Sequence, residues 1–181
     1  KANIDFYPEG GTIIQNVQNS IGIKISDCNG KPIPISEVEI LDQDNNLIQK
    51  VAINKFGLGK FQLLAEKNSK VSCLINGVNV EKNLPTYLEN GLALEINNYS
   101  IKDKTIAKIR ISKKNLDLYK SKKIYLLVHQ DEKFNIFDVD FSNNNPEQTI
   151  LFPNENVFEG VNSIRIIDEN KKQIAERLVF K

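Results

Sequence analysis

The residues best suited to chemistry are two pairs of carboxylates, Asp138 with Asp140 and Glu37 with Glu39. Carboxylate pairs hydrolyse glycosidic bonds, but they do so by flanking the bond from opposite sides of a cleft. Residues two apart on a β-strand point to the same face of the sheet. We therefore interpret both pairs as solvated surface charge. A small hydrolase that uses Asp138 and Asp140 is a rival hypothesis.

A second candidate for chemistry is a calcium loop that would begin at Asp42. Asp42, Asp44 and Asn46 match its first three side-chain ligands. Such a loop also needs a glycine at its sixth position and a bidentate glutamate at its twelfth, where this chain has Leu47 and Ile53. The pattern instead predicts a hairpin turn whose Asp and Asn side chains bond their own backbone. We expect no metal site.

Nucleophilic catalysis also lacks its usual residues. His129 is the only histidine, so neither a histidine pair nor a Ser-His-Asp triad can be assembled. Its place at the end of an apolar run indicates a residue at the rim of a strand. We expect a protein that is not an enzyme and that carries no cofactor.

The two cysteines, Cys28 and Cys73, differ in their predicted settings. Cys28 lies in a turn, whereas Cys73 lies in the middle of a strand between Val71 and Ile75. A disulfide needs Cα atoms within about 7 Å of each other, which a turn residue and a strand centre seldom reach. This favours two free thiols, while a disulfide stays the alternative, and two cysteines without nearby histidines make a poor zinc site.

The composition of the chain limits the classes of binding partner to be expected. The 181 residues are 40% hydrophobic, and 24 Lys and Arg balance 23 Asp and Glu. A net charge of +1 gives no electrostatic reason to expect nucleic acid or an anionic membrane. The apolar runs are far shorter than the ~20 residues that span a bilayer. Because the chain has no methionine, we expect a processed product or a piece of a larger protein.

The elements that would position these residues are strands. From Ser20 to Phe61 apolar and polar residues alternate, and each run stops at a cluster of Asp, Asn and Gly, which is typical of antiparallel hairpins. About seven strands are predicted by residue 83. The stretch from Leu84 to Gly91 then breaks the pattern, and we expect a domain boundary there.

The second half repeats the same pattern. We expect strands that include residues 91–96 and 134–141, a central strand at Ile124–Val128 and one short helical turn around Leu116 to Tyr119. Seven or so short strands per half predict two tandem antiparallel β-sandwiches. Their predicted bounds are 1–86 and 87–181, so the fold class is all-β.

Several motifs share their order with a known family. They are Phe6–Gly11, Asp27–Pro32, Phe56–Phe61, Leu84-Pro85, Tyr125–His129 and Glu176–Phe180. In this order the chain resembles a tandem pair of macroglobulin-type domains from bacterial alpha-2-macroglobulin-like envelope proteins, some of which carry a plug domain like that of TonB-dependent receptors.

The resemblance implies an immunoglobulin- or fibronectin-like sandwich in each half and a location in the periplasm, the outer membrane or the cell surface. The thioester with which some macroglobulins trap proteases needs a cysteine followed closely by Glu-Gln. Neither Cys28 nor Cys73 is followed in this way, so we expect no covalent trapping.

We therefore expect a scaffolding or protein-docking module that contacts neighbouring domains of its parent chain or other envelope proteins. A TonB-dependent outer-membrane system is one such setting. Candidate contact residues lie in the first glycine turn and at the domain boundary: Tyr7, Pro8, Glu9, Leu84, Pro85 and Tyr87. The alternative for both segments is that proline and glycine only shape a bend. The alternative function is a carbohydrate-binding or adhesion module, which five tyrosines and no tryptophan support poorly.

Overall fold

The computed structural model describes residues 2–181, and most of these residues lie in short β-strands. The first half contains nine strands. These are β1 (Ala2–Pro8), β2 (Ile13–Ile14), β3 (Gln18–Asp27), β4 (Glu37–Asp42), β5 (Leu47–Ala52), β6 (Leu58–Leu64), β7 (Ser69–Ile75), β8 (Val78–Asn83) and β9 (Tyr87–Leu88).

The second half contains seven strands and little helix. The strands are β10 (Ala93–Ile101), β11 (Lys104–Arg110), β12 (Ile124–Gln130), β13 (Lys133–Val139), β14 (Glu147–Pro153), β15 (Val161–Asp168) and β16 (Gln173–Phe180). The helical segments are one α-helical turn, α1 (Leu116–Tyr119), and two 3₁₀ turns at Lys113–Asn115 and Asn154–Asn156.

Each half is a sandwich of a three-stranded and a four-stranded antiparallel sheet. In the first sandwich the sheets run β1-β3-β6 and β5-β4-β7-β8, and in the second they run β10-β11-β14 and β13-β12-β15-β16. The two strand orders are therefore equivalent, with β4 and β7 corresponding to β12 and β15. The predicted fold class, an all-β protein of antiparallel sandwiches, is confirmed.

The alternation of apolar and polar residues along the strands produces the two hydrophobic cores. Ile21, Ile23 and Ile25 are fully buried on one face of β3, as the period of two requires. One core cluster draws its residues from positions 4–84 and another from positions 92–175. The predicted boundary between residues 86 and 87 stays a prediction, and Tyr87 just beyond it packs against the first core.

Four turns share one arrangement, in which an Asp or Asn side chain accepts hydrogen bonds from the backbone N–H groups two and four residues further on. The acceptors are Asp27, Asp42, Asn54 and Asp168. The third residue after each acceptor has a positive φ, between 63° and 79°. Glycine or asparagine fills this position in three of the turns, and Lys171 fills it in the fourth.

The structure corrects three expectations. The stretch from Leu84 to Gly91 is not free of strand, because β9 pairs in parallel with β2. β10 continues to Ile101 through an irregularity in register after Asn97, so the strand is longer than expected. Finally, β13 ends at Val139, so Asp138 and Asp140 do not share a strand.

Candidate docking surfaces

Glu9 lies between the two sandwiches and is the most buried carboxylate there, with a side chain only 5% exposed. Its Oε1 atom lies 3.1 Å from the Nζ atom of Lys60, on β6 of the first sandwich. The same oxygen lies 3.6 Å from Nε of Arg177, on β16 of the second. The other oxygen, Oε2, is buried and accepts no hydrogen bond from residues 2–181. One carboxylate therefore faces a cation from each sandwich.

Backbone contact joins the sandwiches next to this carboxylate. Gly10 forms an isolated antiparallel bridge with Glu176 on β16. A Cβ atom at Gly10 would lie 3.1 Å from Cβ of Leu94 on β10, closer than side chains normally pack. Gly10 also has a φ of +82°, which side chains other than glycine rarely adopt. Glycine here permits the close approach of the two halves.

A small apolar cluster adds a third kind of contact. Ile14 and Val17 from the first half are buried against Ala93 from the second. The turn that presents the two first-half residues is fixed by the buried side chain of Asn19. Its Oδ1 accepts from the backbone N–H of Ile14, and its Nδ2 donates to the carbonyls of Ile14 and Val17. The junction thus combines ionic, main-chain and apolar contacts.

Polar side chains also cross the junction further along β6. Gln62 donates from Nε2 to a carboxylate oxygen of Glu95 on β10, at 3.2 Å. The other oxygen of Glu95 accepts from Arg110 on β11 at 2.8 Å, and Arg110 donates from Nε to Glu147 on β14 at 2.6 Å. The first sandwich is therefore bonded to a network that spans the three-stranded sheet of the second.

The six sequence-based contact candidates occupy different settings. Glu9 lies at the junction, whereas Leu84 is buried in the first core and Tyr87 packs against it. Tyr7 and Pro85 are exposed. Pro8 ends β1 opposite Ile21 of β3 and is half-buried. Burial accounts for the raised pKa of the Tyr87 hydroxyl.

Sequence reasoning missed the two cations that face Glu9. Lys60 and Arg177 stand in ordinary alternating strands, and no local pattern distinguishes them from the other basic residues. Their role depends on which strands meet at the junction, and that is set by the packing of the two sandwiches.

The carboxylates of the two pairs have local partners. Asp140 accepts from the backbone N–H and the hydroxyl of Ser142 at 2.7 and 2.8 Å, and these bonds lower its pKa. Asp138 lies opposite Tyr125 on the sheet. Glu37 and Glu39 share Lys50, at 2.7 and 3.6 Å.

The turn at Asp42 and the two cysteines are also accounted for by local structure. Asp42 accepts from the backbone N–H groups of Asp44 and Asn46, both at 2.8 Å, and its pKa is lowered first of all by the hydrogen bond from the side chain of Asn46. Cys28 is exposed and Cys73 is buried, and both thiols are free. Within residues 2–181 no three His, Cys, Asp or Glu side chains group as metal ligands. No helix in the same range is both long and apolar enough to cross a membrane.

Comparison with known proteins gives matches among solved structures only. No family model and no curated protein matches the chain. Dimeric latent PorU from Porphyromonas gingivalis matches at 8% identity and a TM-score of 0.49, over 99% of this chain and 20% of that one. The adhesin InvE from Yersinia pseudotuberculosis matches at 14% identity and 0.33, over 99% and 58%.

A Salmonella alpha-2-macroglobulin mutant also matches, at 8% identity and a TM-score of 0.32, over 98% of this chain and 14% of that one. The chain spans less than two thirds of each of these three proteins. Since all three TM-scores lie below 0.5, the fold assignment comes from the strand order itself.

Proposed function

We propose that the chain is a non-enzymatic scaffolding and docking module of a larger bacterial cell-envelope protein. Its two macroglobulin-type sandwiches hold the domains on either side at a fixed spacing and orientation. The observation that carries the proposal is the position of Glu9, buried between Lys60 of one sandwich and Arg177 of the other.

A junction of this kind resists bending for a physical reason. Tilting one sandwich away from the other would separate Glu9 from Arg177 and break the bridge between Gly10 and Glu176. It would also expose the apolar cluster to water, at a cost of about 25 cal/mol per Å² of apolar surface. A connection without such contacts would leave the two domains free to move, which is the usual expectation for small interfaces.

We further propose a cellular setting for this module. The order of the turn and strand motifs supports an extracytoplasmic location, in the periplasm or at the outer membrane or cell surface. The same order supports a parent protein linked to a TonB-dependent outer-membrane system. The partners are then the neighbouring domains of the parent chain or other envelope proteins.

The disposition of the tyrosines favours docking over carbohydrate binding. Sugar platforms need exposed aromatic rings that lie together, whereas Tyr119 is buried in the second core. The two most exposed, Tyr7 and Tyr99, belong to different sandwiches. Binding on a glycan array that is lost on Tyr99→Ala would reverse this preference.

Residual dipolar couplings of the whole chain test the fixed orientation. A rigid junction requires that both sandwiches share one alignment tensor in the wild-type protein. Glu9→Ala combined with Arg177→Ala should give two tensors of different magnitude, while each sandwich keeps its own strand pattern. Two independent tensors in the wild-type protein would refute the proposal.

A further inference from the structure

The four-stranded sheet of the first sandwich is open along its central seam. β4 and β7 pair from Asp42 with Ser69 up to Glu39 with Ser72, and there the ladder stops. Both strands continue beyond this point, β4 back to Glu37 and β7 on to Ile75. The next pairs in register, Val38 with Cys73 and Glu37 with Leu74, are not formed.

The hairpins on either side of the seam remain intact. β4 pairs with β5 as far as Glu37 with Ala52, and β7 pairs with β8 as far as Ile75 with Val78. The gap is therefore a separation of two complete hairpins, and fraying at the end of a sheet does not explain it.

The equivalent seam of the second sandwich serves as an internal reference. There β12 and β15 pair over six successive positions, from Ile124 with Asp168 to His129 with Ser163. The first residue of β12 is thus paired across the seam, whereas Glu37, the first residue of β4, is not. The fold can close this seam, and the first sandwich does not.

A local turn and two prolines precede β4. Pro32 and Pro34 have no backbone N–H to donate. Between Pro34 and the strand, the N–H of Ile35 bonds back to the carbonyl of Ile33 at 2.9 Å, which turns the chain locally. The chain therefore enters β4 from a local turn between Ile33 and Ile35.

The unpaired backbone groups of Glu37 and Leu74 point into the gap. Ser36 directs its carbonyl to Ile53 beyond β5, and Ser69 directs its carbonyl to Leu84 beyond β8. Backbone groups of successive strand residues point to opposite sides. Glu37 and Leu74, one and five residues further on, therefore point towards each other across the seam.

A cleft of about 610 Å³ occupies this gap. Its volume lies within the ~300–1,000 Å³ range of ligand-binding clefts. Pro34, Ile35 and Val38 line one side, and Cys73 and Leu74 line the other. The cleft is therefore bordered by two open strand edges, and its lining also includes the polar residues Ser36, Ser72 and Asn79.

The charge at the mouth of the cleft is negative. Glu37 and Glu39 line it, and among residues 2–181 no Lys, Arg or His contributes to its lining. Lys50, on β5, pairs with both carboxylates, so the group of three carries a net charge of −1. An occupant with a basic side chain would complement this charge.

We propose that the cleft binds an extended, lysine-containing peptide segment of a partner protein. The segment adds as a strand to the open backbone positions of Glu37 and Leu74, and its lysine meets Glu37 and Glu39. Strand addition to exposed backbone edges is a common mode of peptide recognition that makes modest demands on sequence. The site lies within the first sandwich, so it is independent of the junction on which the scaffolding proposal depends.

Titration of capped hexapeptides into the ¹⁵N-labelled full chain tests the proposal. The probes alternate Thr and Val and carry two Lys residues, and in the matched control peptides Glu replaces Lys. We expect the lysine peptides to shift the amide signals of Glu37 and Leu74 and to slow their hydrogen exchange. The glutamate peptides should bind at least about tenfold more weakly, which corresponds to 1.4 kcal/mol.

Two variants distinguish the contribution of backbone pairing to peptide binding from the contribution of charge. Leu74→Pro removes one donor that faces the cleft, and the loss of that hydrogen bond should weaken binding by about tenfold. The double variant Glu37→Lys with Glu39→Lys changes only exposed or half-exposed side chains and should reverse the preference between the two peptides. Glu132→Lys, an exposed site on the other sandwich, should change nothing.

Three results would overturn the proposal. One is the absence of any shift at Glu37 and Leu74 with either peptide. Another is binding at a different edge, seen as shifts along β8 or β13 that the double variant leaves unchanged. The third is a concentration-dependent shift of Leu74 without peptide, which would assign the cleft to a second copy of the chain.

Discussion

The carboxylate of Glu9 and the guanidinium of Arg177 lie 3.6 Å apart although they belong to different sandwiches. The carboxylate is buried, but the cation is 45% exposed. Such an asymmetric pair behaves differently from a fully buried one, since the arginine stays hydrated when its partner is removed. The expected cost of losing Glu9 is therefore moderate.

Glu9→Ala should lower the free energy of unfolding by about 1–2 kcal/mol, because Lys60 and Arg177 lose their shared acceptor. Urea denaturation measures this change. Glu132→Ala, which removes an exposed carboxylate, is the control and should change the free energy by less than about 0.5 kcal/mol. Equal effects of the two substitutions would contradict the role given to Glu9.

Gly57→Ala should be clearly more destabilising than Gly30→Ala. Both glycines have positive φ, +73° and +79°, so each alanine bears a backbone strain of about 1–2 kcal/mol. Only at position 57 would the new Cβ also lie 2.3 Å from the carbonyl oxygen of Ile25. Thermal unfolding of the two variants isolates this steric cost, and similar melting temperatures would mean that the backbone at Gly57 relaxes.

Lys171→Asn should stabilise the protein. Lys171 has a φ of +63° in the last of the four turns that an Asp or Asn side chain closes, and at such a position a long side chain is disfavoured and asparagine is tolerated. The gain should be about 0.5–1 kcal/mol in chemical denaturation. Lys172→Asn, at the next position, where φ is not positive, is the matched control. A gain of the same size at both positions would show that charge, and not backbone conformation, is responsible.

Glu176 should contribute to acid sensitivity. The hydrogen bond from the Ser163 hydroxyl, followed by that from Arg165, lowers its pKa below the ordinary value of 4.5. Because the folded pKa is the lower one, the stabilisation is present above pH 4.5 and is lost as the pH falls through the folded pKa.

Unfolding free energies at pH 7 and pH 3 test this linkage. The wild-type protein should lose more stability between the two pH values than Glu176→Gln, which cannot titrate. Equal losses would mean that the contacts of Glu176 do not favour its charged form.

Much of the fold follows from local pattern. The period of two predicts the buried face of β3, and the Asp/Asn clusters predict the turns at Asp42 and Asp168. The helical turn from Leu116 to Tyr119 was also predictable. These features depend on residues close together in the chain, so their signals lie within a few positions.

The candidate sites were harder to predict, because they depend on contacts between distant segments. The ion pair of Glu9 with Arg177 requires that a turn of the first sandwich meets β16 of the second. The pairing of β2 with β9 involves only two residues on each side, too few to give a period. The prolines at positions 32 and 34 indicate extended backbone, but the gap between β4 and β7 that follows them is visible only in three dimensions.

The arrangement of β16 has a mechanical consequence. This strand is hydrogen-bonded to β15 along most of its length and meets Gly10 of the other sandwich at Glu176. Since ladder bonds run perpendicular to the strands, tension along β16 would load them together in shear. Pulling force on β16 would thus reach the first sandwich through this contact as well as through the connecting segment near Leu84.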